Sequence, residues 1–259
     1  MMTHGSLFSG IEGFGEGARR AGEIENIFHV EQNSFCHDII RKHSNAPISS
    51  DIRTFDGTPY RGKVNILSGG FPCQDISKAG KGIGITGQKS GLWSHFARII
   101  KETRPNWVII ENSSNLARKG LERVLFDLTQ IGYDAEWQCI SAEAFGMPHE
   151  RERLFLIAYP NTSGWYQFLR GYPTSIFREI CQTGPWQAGC ESDAGIDPVL
   201  QFSERMGEPA LFGVDHGISK RSHLMPRLAA VGNSVSPVIA EYLFHCIKFA
   251  QEVSNEFQA

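Results

Sequence analysis

Cys73 follows Pro72 directly and closes on an apolar run, residues 64–67, that reads as a buried strand. A thiol in that place lies at the carboxyl edge of a sheet, where open α/β folds hold their ligands. The ring of Pro72 fixes its backbone angle, so the cysteine is held stiffly, as a presented nucleophile would be. A free thiol ionises near about 8.5 and needs a cationic neighbour to react as a thiolate at neutral pH. Arg151 and Arg153 stand two apart at the start of a second apolar strand, residues 151–159. Period-two alternation puts both on one face, as a clamp for an anion or a carbonyl. Glu111 ends a third apolar run, residues 108–110, and sets a carboxylate at the same kind of edge. Each residue alone has a plainer reading: a structural cysteine, an edge neutralised by Glu150 and Glu152, a capping acid. Their joint occurrence in one chain favours chemistry.

Other strand ends look built for a nucleotide. Residues 5–15 run from a short apolar strand through Phe8, Ser9, Gly10 and Ile11 into a helix over residues 13–22. Glycines there let the backbone approach a ligand closely. The next strand, residues 27–30, ends in Glu31, about twenty positions after the turn, where an acid holds ribose hydroxyls. A third strand end carries Asp51 and Ile52, an acid and an apolar side chain suited to an adenine amino group and ring face. Far downstream, Gly232, Asn233, Ser234 and Val235 open a last apolar helix over residues 237–253, with Asn233 able to cap it.

In this order and spacing the segments resemble the DNA cytosine-C5 methyltransferase family, over roughly residues 3–159 and 224–247. The resemblance implies a Rossmann-like, S-adenosylmethionine-dependent α/β sheet with helices on both faces and a small irregular target-recognition region. It implies cofactor contacts from Phe8, Ser9, Gly10, Ile11, Glu31, Asp51, Ile52, Gly70, Pro72, Leu92, Asn233 and Val235, with no metal. It implies catalysis by Cys73, Glu111, Arg151 and Arg153: addition of the Cys73 thiolate to C6 of a cytosine, Glu111 on N3 and the exocyclic amine, Arg153 on O2. The base would have to be flipped out of double-stranded DNA, because C5 is out of reach in a stack. Ser6, Glu12, Ser113 and His149 depart from the family's usual aspartate, glycine, valine and glutamine; none removes a reacting group. A tRNA cytosine methyltransferase would share this set, a small-molecule methyltransferase would not need it, and a DNA-binding pseudoenzyme would not keep it.

The elements alternate strand and helix from Thr3 to about Thr129, which predicts a mostly parallel sheet, with further strands at residues 134–140 and 151–159 and a turn at 144–148. The expected organisation is a catalytic and cofactor-binding domain over 1–160, a target-recognition region over 161–223, and a segment over 224–259 that returns beside the first strand. The middle region is rich in Gly, Pro, Ser, Trp and Tyr and shows no clear period. Trp165, Tyr166, Arg170, Tyr172, Arg178, Trp186 and Arg205 are its candidates for stacking or base-edge contacts, at least half of them expected in its own core. Lys220, Arg221 and Arg227 are candidates for phosphate. Residues 77–91, with Gly80, Gly82, Gly84, Gly87 and Gly91 among Lys78, Lys81 and Lys89, suit a segment closing over the base.

The formal charge of −3 argues against non-specific coating of nucleic acid and leaves room for a local basic patch. Six scattered cysteines and a thiolate nucleophile favour a reducing cytoplasm, and no leading or membrane-spanning apolar run is present. Cys181, Cys190, His216 and His223 match no common zinc spacing. No endonuclease region is visible, so any restriction function needs a separate cognate endonuclease.

Overall fold

Residues 107–110 are apolar without interruption, and the strand they form is buried on both faces. Alternate residues feed two cores: Trp107 and Ile109 point to one, Val108 and Ile110 to the other. Each such side chain contributes about 1.5–3 kcal/mol by leaving water, so this strand fixes the middle of the sheet. The computed structural model describes residues 1–72, 91–147, 151–172, 174–177 and 234–257.

Among the described residues the elements run β1 (Met2–Leu7), α1 (Gly13–Ala21), β2 (Ile24–Val30), α2 (Ser34–His43), β3 (Ile48–Ser49), β4 (Ile66–Gly70) and α3 (Gly91–Thr103). Then follow β5 (Trp107–Ser113), α4 (Leu116–Lys119), α5 (Leu121–Gln130), β6 (Tyr133–Ser141), β7 (Glu152–Pro160), α6 (Gly164–Gly171) and α7 (Pro237–Glu256). The seven strands form one sheet in the order β3-β2-β1-β4-β5-β7-β6. β1 to β5 are parallel, as the alternation of strand and helix predicts. β7 enters antiparallel between β5 and β6, so the sheet is mixed. The chain order reverses between β1 and β4, and in open α/β sheets that switch point is where ligands bind, at the carboxyl ends. The turn after β1 and the end of β4 flank it.

The last helix returns to the first elements. α7 packs along α1, and Phe244 meets the edge of His4 in β1. The approach is close because α1 is glycine-rich: a Cβ on Gly17 would stand 2.4 Å from Cβ of Ala240, and one on Gly13 would stand 2.2 Å from the Val235 carbonyl oxygen. Pro237 opens α7 at a position where its missing N–H costs nothing.

Several boundaries differ from the sequence reading. β2 starts at Ile24 rather than Ile27, and β4 covers Ile66–Gly70 rather than residues 64–67. The turn expected at 144–148 is a 3-10 helix, Ala142–Phe145, closed by Gly146 in the left-handed region. Residues 164–171, read as part of an irregular region, form α6, capped by the Ser163 hydroxyl, which accepts from the Tyr166 N–H. α6 lies against α7, with a Cβ on Gly164 placed 2.1 Å from the Ser254 carbonyl oxygen.

Candidate active site

The turn after β1 is held by four hydrogen bonds. The Ser9 N–H donates to the Val30 carbonyl, the Ser9 hydroxyl to the Ser6 carbonyl, and the Glu12 N–H to the Ser9 carbonyl. The Gly10 N–H donates to Oε2 of Glu31 at 2.7 Å. Phe8, Gly10 and Glu12 all take positive φ, at 53°, 54° and 72°. For the two non-glycine residues this stores of order 1–3 kcal/mol each, a form of strain that collects at ligand sites. Glu31 also accepts from the Asn33 N–H through Oε1 at 2.7 Å, so both carboxylate oxygens are oriented and each keeps a lone pair. The sequence placed Glu31 beside this turn, and the structure brings them into contact.

Asp51 and Ile52 follow β3 on the same edge. Ile52 is buried, while the Asp51 carboxylate accepts from the Arg53 guanidinium and backbone N–H, which hold it below the usual carboxylate range. Leu92, in the first turn of α3, packs on the core of the same sheet face. Val235 touches the start of α1, as described above. Ile11 is half-buried in the turn itself.

At the other side of the switch point, Gly70 pairs with Glu111 across β4 and β5. A Cβ on Gly70 would stand 2.5 Å from Oε2 of Glu111, so only glycine lets this carboxylate lie over the strand end. Glu111 is 8% exposed, and its Oε1 lies 3.2 Å from Nε of Arg153. Burial pushes the Glu111 carboxyl up, and the charges of Arg153 and Arg151 pull it back. Burial thus favours the protonated carboxyl, while the two guanidinium charges favour the ionised one. Arg151 precedes β7 and donates to the Ser234 carbonyl at 2.8 Å, so the two arginines take different partners while both act on Glu111.

The next residue along, Asn112, is almost fully buried and donates from Nδ2 to the Phe71 carbonyl at 2.9 Å. That bond pins the backbone leading into Pro72 and Cys73. Sequence reading gave Asn112 no role of its own; its signal was its place beside Glu111 in the Glu111-Asn112-Ser113 motif. A second unread feature lies beneath the β1 turn. Ser6 Oγ, both carboxylate oxygens of Glu12 and His29 Nδ1 are buried without a hydrogen-bond partner, and no other described side chain has such atoms. His4, beside them in β1, is satisfied by Asn26 and Ser68.

Cys73, Gly232 and Asn233 lie outside the described residues, as do His149, Glu150, the glycines and lysines of residues 77–90, Arg178, Trp186, Arg205, Lys220, Arg221, Arg227 and the four zinc candidates. Among the recognition candidates that are described, Trp165 is a core residue with no exposure, its Nε1 donating to Glu136 at 3.1 Å. Tyr166 packs half-buried against that core, and exposed Tyr172 stacks on Phe168. No described helix is long and apolar enough to cross a membrane.

A mixed, mainly parallel seven-stranded sheet, with a strained turn at its switch point and a carboxylate–arginine pair on the neighbouring strands, defines an open α/β class. The sequence model described as C-5 cytosine-specific DNA methylase matches residues 2–182, and the chain belongs to that family. The type II methyltransferase M.Eco47II of Escherichia coli is 35% identical over 164 residues, 60% of this chain and 39% of that protein. M.NgoBI of Neisseria gonorrhoeae is 28% identical over 209 residues, 79% of this chain and 62% of that protein. The chain thus spans about two fifths of the first relative's length. The solved Dnmt2 methyltransferase of S. pombe superposes with a TM-score of 0.62 at 15% identity, covering 94% of this chain and 97% of that one, which shows the shared fold.

Proposed function

We propose that this chain carries out S-adenosylmethionine-dependent methylation of cytosine C5 in double-stranded DNA, with Cys73 as nucleophile. The observation that carries the reading is the buried Glu111–Arg153 pair, one strand from the Gly70–Pro72 end that leads into Cys73. The described residues also fit an adenosyl ligand. Apart from its chain neighbours, no atom lies nearer than 4.0 Å to a Cβ on Gly10, so the turn's backbone is open, and the oriented Glu31 carboxylate beside it would hold ribose hydroxyls. When bound, S-adenosylmethionine supplies an electrophilic methyl group for C5.

The chain's own residues do the rest. The Cys73 thiolate adds to C6 of a cytosine flipped from the duplex, which makes C5 electron-rich. Glu111 holds N3 and the exocyclic amine and delivers its proton to N3 as C6 is attacked. Arg153 fixes the Glu111 carboxyl and offers its remaining N–H groups to the O2 carbonyl. Arg151 ties the start of β7 to the Ser234 backbone, so strand and terminal helix close the site together. Loss of the C5 proton releases Cys73. Sequence choice falls to the region 161–223 or to a partner, and a cognate endonuclease would make the pair a restriction system.

Labelled-methyl transfer to a mixed duplex-DNA library tests this, with tRNA as the comparison substrate and bisulfite sequencing as readout. DNA is expected to be labelled at cytosine, Cys73→Ser to be inactive while keeping affinity for S-adenosylhomocysteine, and 5-fluorocytosine DNA to trap a covalent adduct. Full transfer by Cys73→Ser, or label on tRNA alone, would overturn the proposal.

A further inference from the structure

The loop that follows β3 carries Asp51 and Ile52; turns at Asp51 and Asp56 shape it locally, and three of its backbone groups look outside it for partners. It is held from outside by α3. Arg98 donates from Nη2 to the Ile52 carbonyl at 2.7 Å and from Nη1 to the Phe55 carbonyl at 3.0 Å. Glu102, one turn further on, accepts from Nη1 of Arg98 at 2.6 Å and from the Gly57 N–H at 2.9 Å. Two long side chains on one helical face thereby take up three backbone groups of a six-residue stretch, Ile52, Phe55 and Gly57. Gly57 is close-fitted: a Cβ there would stand 2.9 Å from Cγ2 of Thr103. The ion pair inside the clamp is two-thirds to three-quarters buried, which keeps both groups oriented. His95, one turn before Arg98, faces the same loop closely enough to feel the Asp51 charge. α3 also carries Leu92 at its start.

We infer that Arg98 is a positioning residue for the adenine end of the methyl donor, acting through the Asp51–Ile52 backbone. This rests on the proposed function, which sets adenine against Asp51 and Ile52. Arg98 touches no ligand atom. It fixes the Ile52 carbonyl and so the backbone that carries the Ile52 side chain and the adjacent Asp51 carboxylate, itself oriented by Arg53. A guanidinium is suited to the task because its planar fork reaches two carbonyls and a carboxylate at once, which an ammonium cannot do. Glu102 completes the device by holding the guanidinium on one side and the far end of the loop on the other. The helix that follows the Cys73 segment in the chain therefore also sets the adenine subsite.

Calorimetry on the full chain with S-adenosylhomocysteine and its hypoxanthine counterpart, S-inosylhomocysteine, tests the inference. The wild type should prefer the adenosyl ligand, and Asp51→Asn should reduce that preference. Arg98→Met removes two hydrogen bonds from the loop and should weaken the adenosyl ligand by roughly tenfold, with a much smaller change for the inosyl ligand. Arg98→Lys should recover part of the discrimination and serves alone if the methionine variant does not fold. A wild type that does not discriminate would refute the adenine subsite itself. A discriminating wild type with unchanged affinities in both Arg98 variants, or with equal losses for both ligands, would overturn the role of Arg98 and leave the subsite standing.

Discussion

Glu12→Gln should make the fold more stable above neutral pH, although it alters the turn proposed to bind the cofactor. Glu12 is 2% exposed and neither carboxylate oxygen has a hydrogen-bond partner. His29, with Nε2 at 3.8 Å, is no counter-ion, because burial pushes that imidazole down to about 4 and keeps it neutral. Burial accordingly lifts Glu12 from 4.5 to about 7, with Arg19 pulling the other way and Glu16 adding to the rise. The folded value lies above the unfolded one, so the group's stability is fully present below about 4.5 and is lost as pH rises through about 7. The difference of about 2.5 corresponds to about 3 kcal/mol by about pH 8. His4 and His29, both lowered to about 4 by burial, act oppositely: what they contribute is present above 6.5 and is lost on acidification. The wild-type profile mixes the three, whereas the difference between variant and wild type isolates Glu12. Urea unfolding should give a difference below about 1 kcal/mol at about pH 5 and of about 2–3 kcal/mol in favour of the variant at about pH 8. A variant no more stable than wild type at the higher pH would refute the reasoning.

Gly70→Ala would force the Glu111 carboxyl aside, since the new Cβ falls 2.5 Å from Oε2; turnover should drop by about 100-fold in single-turnover transfer while the melting temperature changes little. Asn112→Ala leaves the Phe71 carbonyl without this donor and should cost about 1–3 kcal/mol in urea unfolding, together with slower transfer because Cys73 is presented from that backbone. Gly17→Ala should destabilise by about 1–3 kcal/mol through its collision with Ala240 and the Glu241 backbone, whereas Gly171→Ala, with open space at its Cβ, should be neutral or stabilise by up to about 1 kcal/mol; paired thermal melts compare them.

The positions of the two acids were legible from an apolar run and the residue after it: Glu31 directly follows β2, while Glu111 follows the apolar residues of β5 but lies two residues inside its end. Edges of strands were less so. The Ser68-Gly69-Gly70 end of β4 reads as a turn in isolation, and becomes strand because Gly70 pairs with Glu111 and makes room for its side chain. The start of β2 carries polar Glu25 and Asn26, and Asn26 is placed there to meet His4. The antiparallel entry of β7 has no sequence signature, since a doubly buried strand looks the same in either direction. α6 spans only 8 residues, too few to show a period, so Trp165 passed for a recognition residue until its packing on α7 was visible. The burial of Glu12 was illegible for a different reason: it depends on the space over Gly15, where a Cβ would fall 2.5 Å from the Glu12 Cγ.

The Arg151–Ser234 anchor described above has a counterpart at the other end of residues 178–233. The Phe177 carbonyl accepts from the Tyr242 hydroxyl at 2.7 Å, and the Ser234 carbonyl accepts from Arg151 at 2.8 Å. One donor lies on α7 and the other directly before β7, so the chain is fastened to one body at Phe177 and again at Ser234. A design of this kind behaves as a socket. On the proposed reading, a stretch exchanged between the anchors finds both of its ends already fastened. Inheritance can then run at two speeds, slow for the reacting groups and fast for the recognition stretch, with a graft cut after Phe177 and before residue 224 so that Asn233 stays with the terminal segment.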